Sequence, residues 1–311
     1  MRIIFMGTPQ SAVPSLERCV ADGHQIMSVW TQPDRPAGRG HKVASSEVKQ
    51  IAQSHGLQIE QPARIKNEEA KELFRSYKAE VAVVVAYGKI LPAEFLQAPK
   101  HGCINVHFSL LPMYRGAAPV NWAVMNGDPK TGVTTMFIEP ELDSGPILLQ
   151  HETTVGAKET APELMDRLSV AGAELLSETL ARLPEITPRP QNNSEATFAP
   201  MLRKEDGVID WASDALSLER RVRGLQPWPN AYTSFRGQRL IVWRADAVEH
   251  MDGSQETGRV LRAAGDDLLI QCGRRSALRL FEVQPEAKRR MSVRDFLNGT
   301  HLKIGDKFGA I

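Results

Sequence analysis

The amino-acid sequence predicts an α/β protein: a Rossmann-like, mostly parallel sheet followed by a small OB-like antiparallel β-barrel. In the first half of the chain, short apolar runs alternate with segments whose apolar residues recur at helical spacing, the pattern of a parallel sheet covered by helices. In the last third, strand-like segments alternate with glycine-containing turns, which is typical of a small barrel. A polar segment with three prolines, 184–199, separates the two patterns and predicts a linker. We therefore expect a first domain at 1–188, a linker at 189–205 and a second domain at 206–311.

The composition excludes several classes of protein. The 311 residues are 42% hydrophobic and 24% charged, which is ordinary for a globular protein and excludes a disordered or collagen-like chain. No run of about 18 apolar residues occurs, so no membrane-spanning helix is expected, and the first apolar run is too short for a signal peptide. Cys19, Cys103 and Cys272 stand far apart without CxxC spacing, which argues against a disulfide framework and a structural zinc site. We expect a reducing, cytoplasmic location.

The strands of the first domain follow from the apolar runs, and 81–86 (VAVVVA) is apolar throughout, as in a strand buried on both faces. The strands predicted in this way are 2–6, 25–31, 81–86, 102–107, 132–138 and 147–154. Helical spacing predicts helices at 11–22, 47–55, 68–77 and 160–183. A loop rich in glycine, proline and arginine is expected at 32–46.

The second domain combines one short predicted helix, 215–223, with several short strands. These strands are predicted at 231–235, 238–247, 258–263, 268–271 and 277–283. Lys and Arg outnumber Asp and Glu within 206–311, which is the reverse of the balance in 1–205. Because a local excess of positive charge attracts polyanions, this domain is a candidate for nucleic-acid binding.

The turn after the first strand, Gly7-Thr8-Pro9, lies where a dinucleotide-binding fold carries GxGxxG. The next residues are Gln10-Ser11-Ala12, so two of the three glycines are missing. A nicotinamide dehydrogenase is therefore a distant hypothesis. A tight turn into a helix explains the segment better than nucleotide binding.

Asn105 and His107 form the first candidate for chemistry. They are two residues apart on a predicted strand, so both side chains emerge on one face, at the carboxyl end where open α/β sheets bind ligands. An amide donor for a developing oxyanion, beside an imidazole that moves protons near neutral pH, suits acyl transfer. Taken alone, the pair is explained at least as well by a histidine in ordinary polar contacts.

Asp143 is the candidate for the carboxylate that would orient the imidazole. It lies in the turn 139–146, between two predicted strands. The local sequence alone favours an ordinary turn residue for Asp143 before Ser-Gly-Pro.

The segment GCINVHFSLLPMYRGAAPVNWA (102–123), followed by LDSG at 142–145, closely resembles the 10-formyltetrahydrofolate-dependent formyltransferases. Four further segments narrow the resemblance to the members that act on methionyl-tRNA. They are RIIFMGTP (2–9), TQPDRPAGRG (31–40), VVVAYGKILP (83–92) and RVRGLQPWPNAY (221–232). The resemblance covers essentially the whole chain, and the joint match is far more specific than any single motif.

The resemblance implies transfer of the formyl group of 10-formyltetrahydrofolate to the amino group of methionyl initiator tRNA. By this resemblance, Asn105 donates a hydrogen bond to the formyl oxygen, His107 assists proton transfer, and Asp143 holds the imidazole in place. It implies neither a metal nor an obligate protein partner. It also makes 1–188 the formyltransferase domain and 206–311 the tRNA-binding domain.

The resemblance also implies two binding surfaces. The expected folate pocket comprises Tyr87, Gly88, Ile90, Leu91, Ser109, Leu110, Leu111 and Pro112. The expected tRNA contacts are Arg35, Arg39 and Lys42 in the loop, with Arg220, Arg221, Arg223, Lys288, Arg289 and Arg290 in the second domain. The loop is expected to be mobile in the free protein and to order against the acceptor arm. By composition alone, these charges could equally be solvated surface.

Two other hypotheses use the same residues differently. A relative could use the same donor on a small amine or on water, although the second domain argues against this. A tRNA-binding protein with a vestigial site is the other hypothesis, and the complete set of Asn105, His107 and Asp143 argues against it.

Overall fold

The computed structural model describes residues 1–37, 42–249 and 256–309. The chain divides into two compact units. Unit 1 comprises Met1–Pro119, Lys130–Thr154 and Met165–Ala199, and unit 2 comprises Val120–Pro129, Val155–Leu164 and Pro200–Ile311.

Strands and helices alternate through the first half of the chain, and strands dominate the last third. The strands are β1 (Arg2–Gly7), β2 (Gln25–Trp30), β3 (Arg35–Ala37), β4 (Lys42–Ala44), β5 (Ile59–Glu60), β6 (Val81–Val85), β7 (Cys103–His107), β8 (Arg115–Gly116), β9 (Lys130–Phe137), β10 (Ile147–Thr154), β11 (Phe198–Ala199), β12 (Ala231–Phe235), β13 (Gln238–Glu249), β14 (Val260–Ala264), β15 (Asp267–Cys272), β16 (Ser276–Pro285) and β17 (Met291–Ser292). The helices are α1 (Val13–Ala21), α2 (Glu47–Ser54), α3 (Glu68–Ser76), α4 (Ala93–Gln97), α5 (Pro119–Asn126), α6 (Ala161–Arg182), α7 (Ala215–Gly224) and α8 (Val293–Thr300).

Unit 1 is built on a seven-stranded sheet in the order β10-β9-β7-β6-β1-β2-β5. All neighbours from β7 to β5 are parallel, and β9 is antiparallel to both β7 and β10. The central strands β1 and β6 are buried almost throughout, as their uninterrupted apolar sequences predict. The α/β class of the first domain is thereby confirmed.

Helices cover both faces of this sheet. On one face, Phe74 of α3 stacks on Phe95 of α4 with ring centroids 4.0 Å apart, and both rings make T-shaped contacts with Trp30. On the other face, α6 approaches through Gly172, where an added Cβ would lie 3.0 Å from Val106 of β7. Because side chains alternate along a strand, this packing leaves Asn105 and His107 on the face away from α6.

Unit 2 contains an antiparallel sheet in the order β12-β13-β16-β15-β14, with β17 paired to β16. Asp214 caps the N-terminus of helix α7, and its carboxylate accepts a hydrogen bond from the Ser217 N–H. The Trp211 indole is buried and donates to Thr233 at 3.0 Å. This sheet confirms the predicted antiparallel class of the second domain.

The structure adds elements that the sequence patterns did not predict. The predicted loop 32–46 contains a short antiparallel pair, β3 and β4, and residues 38–41 lie outside the described residues. Helices α4, α5 and α8 were not predicted. None of the helices in the described part of the chain is long and apolar enough to cross a membrane.

Candidate active site

Strand β7 brings Asn105 and His107 to one face of the sheet, as their spacing predicts. His107 is buried, with 6% of its surface exposed, and Asn105 is half-buried. Parallel pairing with β6 places the carboxyl ends of these two strands at one edge. The two side chains therefore stand where a ligand in this fold would bind.

The two ring nitrogens of His107 have different partners. Nε2 lies 2.9 Å from the carbonyl oxygen of Tyr114. Because a carbonyl oxygen only accepts, Nε2 carries the proton in this contact. Nδ1 lies 3.7 Å from Oδ2 of Asp143. Nδ1 is therefore the nitrogen that remains to exchange a proton, and it faces a carboxylate.

Asp143 is held at this position by the backbone of β8. The N–H of Gly116 donates to Asp143 Oδ2 at 2.8 Å. Asp143 itself has a φ of +47°, in the left-handed region that side-chain-bearing residues rarely adopt. The turn thus presents the carboxylate to His107.

The SLLP segment after β7 is fixed by hydrogen bonds to β9 and β10. Thr134 donates to the carbonyl of Ser109 at 2.7 Å and accepts from the N–H of Leu111 at 3.1 Å. The amide of Gln150 donates to the carbonyl of Leu111 at 2.9 Å. The backbone that continues from His107 is therefore rigidly attached to the sheet.

Beside this segment lies a cavity of about 660 Å³. Its lining combines apolar side chains with two carboxylates, one amide and one hydroxyl. The lining residues are Leu110, Leu111, Pro112, Met113, Gln150, Glu152, Glu195 and Thr197. Three residues of the predicted folate pocket thus line this cavity, and the predicted residues after β6 do not.

The other predicted folate residues follow β6. The carbonyl of Tyr87 accepts hydrogen bonds from Thr8 at 3.1 Å and from Gln32 at 3.0 Å. The Tyr87 ring is buried, its hydroxyl has no partner among the described residues, and burial raises the pKa of this hydroxyl. Gly88 has a φ of +82°, and Ile90 is 78% exposed. This segment therefore offers an exposed apolar side chain and a buried, protonated hydroxyl.

The predicted linker contributes contacts that sequence reasoning missed. Thr197 Oγ1 accepts from the N–H of Tyr114 at 2.8 Å, which fixes the residue whose carbonyl binds His107. Phe198 and Ala199 pair with Arg115 and Gly116. These partners lie about 80 positions apart, so no local sequence signal could reveal them.

The predicted tRNA contacts on α7 are engaged within unit 2. Arg220 donates to the Asn126 carbonyl at 3.4 Å, and Arg221 donates to the Asp206 carbonyl. Arg223 pairs with the buried Glu219 at 3.0 Å. The sequence predicted tRNA contacts for these three side chains, and in the structure they make internal contacts.

The remaining basic residues differ in their surroundings. Lys288 and Arg289 are exposed, whereas Arg290 pairs with Glu282 and lies over the Trp243 ring at 4.9 Å. In the loop, Arg35 lies in β3 and Lys42 in β4, and Arg39 lies outside the described residues. No cluster of three His, Cys, Asp or Glu side chains that could hold a metal occurs within 1–37, 42–249 and 256–309.

Comparisons with known proteins identify the family of this chain. Residues 1–180 match the family described as "Formyl transferase", and residues 201–301 match "Formyl transferase, C-terminal domain". Among solved structures, an N-formyltransferase from Helicobacter canadensis, in complex with folinic acid and dTDP-3-aminofucose, has a TM-score of 0.66. Its identity is 16%, over 89% of this chain and 98% of that one, so this likeness shows the fold alone.

Two relatives are similar over nearly their full length. The methionyl-tRNA formyltransferase of Caldanaerobacter subterraneus is 47% identical, over 98% of this chain and 99% of that protein. The methionyl-tRNA formyltransferase of Solibacter usitatus is 48% identical, over 99% of both. The chain belongs to the methionyl-tRNA formyltransferase family.

Proposed function

We propose that this protein transfers the formyl group of 10-formyltetrahydrofolate to the α-amino group of methionyl initiator tRNA. The observation that carries the proposal is the face of β7, where the Asn105 amide and the His107 imidazole stand together and Asp143 faces Nδ1. Acyl transfer to an amine requires a hydrogen-bond donor that stabilises the developing oxyanion, next to a group that transfers a proton. Charged initiator tRNA is used in the cytoplasm, so we place the reaction there.

The nucleophile in this proposal belongs to the substrate, and the protein supplies orientation and charge stabilisation. The Asn105 amide has no side-chain hydrogen-bond partner among the described residues, so its N–H groups are available to the formyl oxygen as this atom gains negative charge. Nδ1 of His107 takes a proton from the attacking amine as the amine bonds to the formyl carbon, and gives it to the folate nitrogen as the bond between this nitrogen and the formyl carbon breaks. Asp143 stabilises the imidazolium that results, as a buried carboxylate does for histidine elsewhere.

The residues after β6 and β7 suit the folate donor, which supplies the formyl group when it is bound. A pterin is flat and carries several donors and acceptors, so it needs apolar walls with a few polar groups. Ile90, Leu91 and Leu110 offer apolar side chains, and the buried Tyr87 hydroxyl is a polar group without a partner in the part of the chain that the structure describes. Backbone groups of Gly88 and of Ser109, Leu111 and Pro112 complete the proposed pocket.

The second domain and the loop at 32–46 would hold the tRNA. Lys288 and Arg289 are exposed cations suited to phosphate contacts. We retain Arg39, with Arg35 and Lys42, as the proposed loop contacts to the acceptor arm. Because Arg220, Arg221 and Arg223 already have partners within unit 2, we rank them below Lys288 and Arg289 as contacts.

A comparison of acceptors tests the proposed function. The protein is incubated with 10-formyltetrahydrofolate and, separately, with methionyl initiator tRNA, uncharged initiator tRNA, glycinamide ribonucleotide or buffer alone. Formylated product is expected only with methionyl-tRNA. Faster formylation of the small amine, or hydrolysis of the donor in buffer at the same rate, would contradict the proposal.

A further inference from the structure

The turn that carries Asp143 is bound at its backbone by a side chain from the predicted linker. Nε2 of Gln191 lies 2.8 Å from the carbonyl oxygen of Asp143 and 2.8 Å from that of Gly145. One amide NH₂ group therefore uses both of its hydrogens on the two carbonyls of a single turn. Gln191 is itself half-buried, which limits competition from water for these bonds.

The orientation of this amide is fixed from its other end. Arg115 is buried, and its Nε and Nη2 atoms donate to Oε1 of Gln191 at 3.0 and 2.8 Å. Because a guanidinium only donates, the oxygen of Gln191 must face Arg115 and its NH₂ group must face the turn. Hydrogen bonds from an ionised donor are also stronger than neutral ones. Nη2 of Arg115 additionally donates to Oδ1 of Asn193 at 2.8 Å.

Two consecutive residues thus hold Asp143 by separate routes. Gly116 binds the carboxylate directly, and Arg115 acts on the backbone of the turn through Gln191. The φ of +47° at Asp143 is a conformation that persists only where the surroundings enforce it. The two hydrogen bonds from Gln191 act directly on this backbone.

We propose that Gln191 is a positioning residue for the transfer reaction: held by Arg115, it keeps the Asp143 carboxylate beside Nδ1 of His107. The inference rests on the proposed role of Asp143. It assigns a role to a residue that touches neither substrate, in a segment whose composition predicts a linker. Gln191 acts only through Asp143, so its removal matters only while Asp143 is present.

Gln191→Glu separates this role from simple packing. The substitution keeps the size of the side chain and an acceptor for Arg115, but it replaces the donor to the turn with an oxygen that repels both carbonyls. We expect kcat to fall by about tenfold to 100-fold, since small displacements of a catalytic group have effects of this size, with KM for methionyl-tRNA nearly unchanged. Gln191→Met has neither a donor nor an acceptor at this position. It should also lower kcat, and it replaces the charged variant if that variant folds poorly.

Asn193→Asp is the matched control, because it makes the same change of amide to carboxylate on the same arginine without touching the turn. Wild-type kcat is expected for this variant. The decisive measurement adds Gln191→Glu to Asp143→Ala, and this double variant should turn over at the rate of Asp143→Ala alone.

Wild-type kcat in both Gln191→Glu and Gln191→Met would overturn the inference. So would a further loss in the Asp143→Ala background as large as the loss in the wild-type background, since Gln191 would then act elsewhere. Each of these results leaves the proposed function standing. Wild-type activity in Asp143→Ala itself would remove the proposed role of Asp143 together with the inference.

Discussion

Asp143 and His107 face each other at 3.7 Å, between Oδ2 and Nδ1, while the same carboxylate oxygen accepts a closer hydrogen bond from the Gly116 N–H at 2.8 Å. The carboxylate is therefore anchored to the backbone and presents its charge to the imidazole. The Tyr114 carbonyl binds the opposite nitrogen at 2.9 Å. These contacts fix the ring orientation and leave Nδ1 as the nitrogen that can take up and release a proton.

Asp143→Asn tests whether catalysis depends on the negative charge of this carboxylate, in addition to its hydrogen bond with Gly116. The amide oxygen can still accept from Gly116, so the turn should persist, but the negative charge facing Nδ1 is lost. We expect kcat to fall at least about 100-fold, nearly as far as in Asp143→Ala, because a neutral partner no longer stabilises the imidazolium. The measurement is steady-state turnover with both substrates saturating. A variant with Asn at 143 and near-normal kcat would show that only the anchoring matters.

Asn105→Ala removes the proposed donor to the formyl oxygen. Loss of one oxyanion donor costs roughly 10²–10³ in kcat, and we expect a loss in this range with little change in KM for methionyl-tRNA. Asn298→Ala, at an exposed asparagine of α8, is the control and should keep wild-type kcat. A loss that appears in KM alone would instead assign Asn105 to ground-state binding.

Arg223→Met tests the internal ion pair on α7. The substitution leaves the Glu219 carboxylate, which is 2% exposed, with Lys158 at 3.1 Å as its remaining cation. Removing one partner of a buried ion pair is strongly destabilising, so we expect the free energy of unfolding in urea to drop by about 3 kcal/mol. Arg182→Met, which breaks the exposed pair with Glu178, should cost less than about 1 kcal/mol. Equal costs for the two variants would contradict a structural role for Arg223.

Lys288→Ala combined with Arg289→Ala tests the proposed phosphate contacts of the second domain. Each lost phosphate contact lowers the slope of log affinity against log salt by about 1, so we expect weaker tRNA binding and a slope reduced by about 1–2. The measurement is equilibrium binding of methionyl-tRNA over a salt series. Arg64→Ala with Lys66→Ala removes two exposed cations of unit 1 as a control. An unchanged slope in the first variant would show that Lys288 and Arg289 are only solvated.

The sequence predicted the strands and helices whose apolar residues recur at the expected spacing within the element itself. The predicted strand 102–107 corresponds to Cys103–His107, and the alternation along it correctly placed Asn105 and His107 on one face. Helix Pro119–Asn126 was missed because its apolar residues surround it, so it lacks the one-sided spacing that predicts a helix.

Contacts between distant segments lay beyond the reach of this reasoning. Gln191 stands among prolines and polar residues, and its proposed role depends on hydrogen bonds to a turn 46 to 48 positions earlier in the chain. Likewise, Arg223 looks like a surface cation until its buried partner Glu219 is known. The sequence shows which side chains are charged, but only the fold shows which residues they pair with.

The rate of formyl transfer in a single turnover, with enzyme in excess over methionyl-tRNA and 10-formyltetrahydrofolate as the donor, tests the central claim most directly. We predict rapid formylation of the methionyl amino group by the wild-type protein. The rate should fall at least about 100-fold in His107→Ala, because the amine then lacks its proton acceptor. A rate in His107→Ala close to that of the wild type would contradict the account, since the chemistry would then not depend on the imidazole that Asp143 faces.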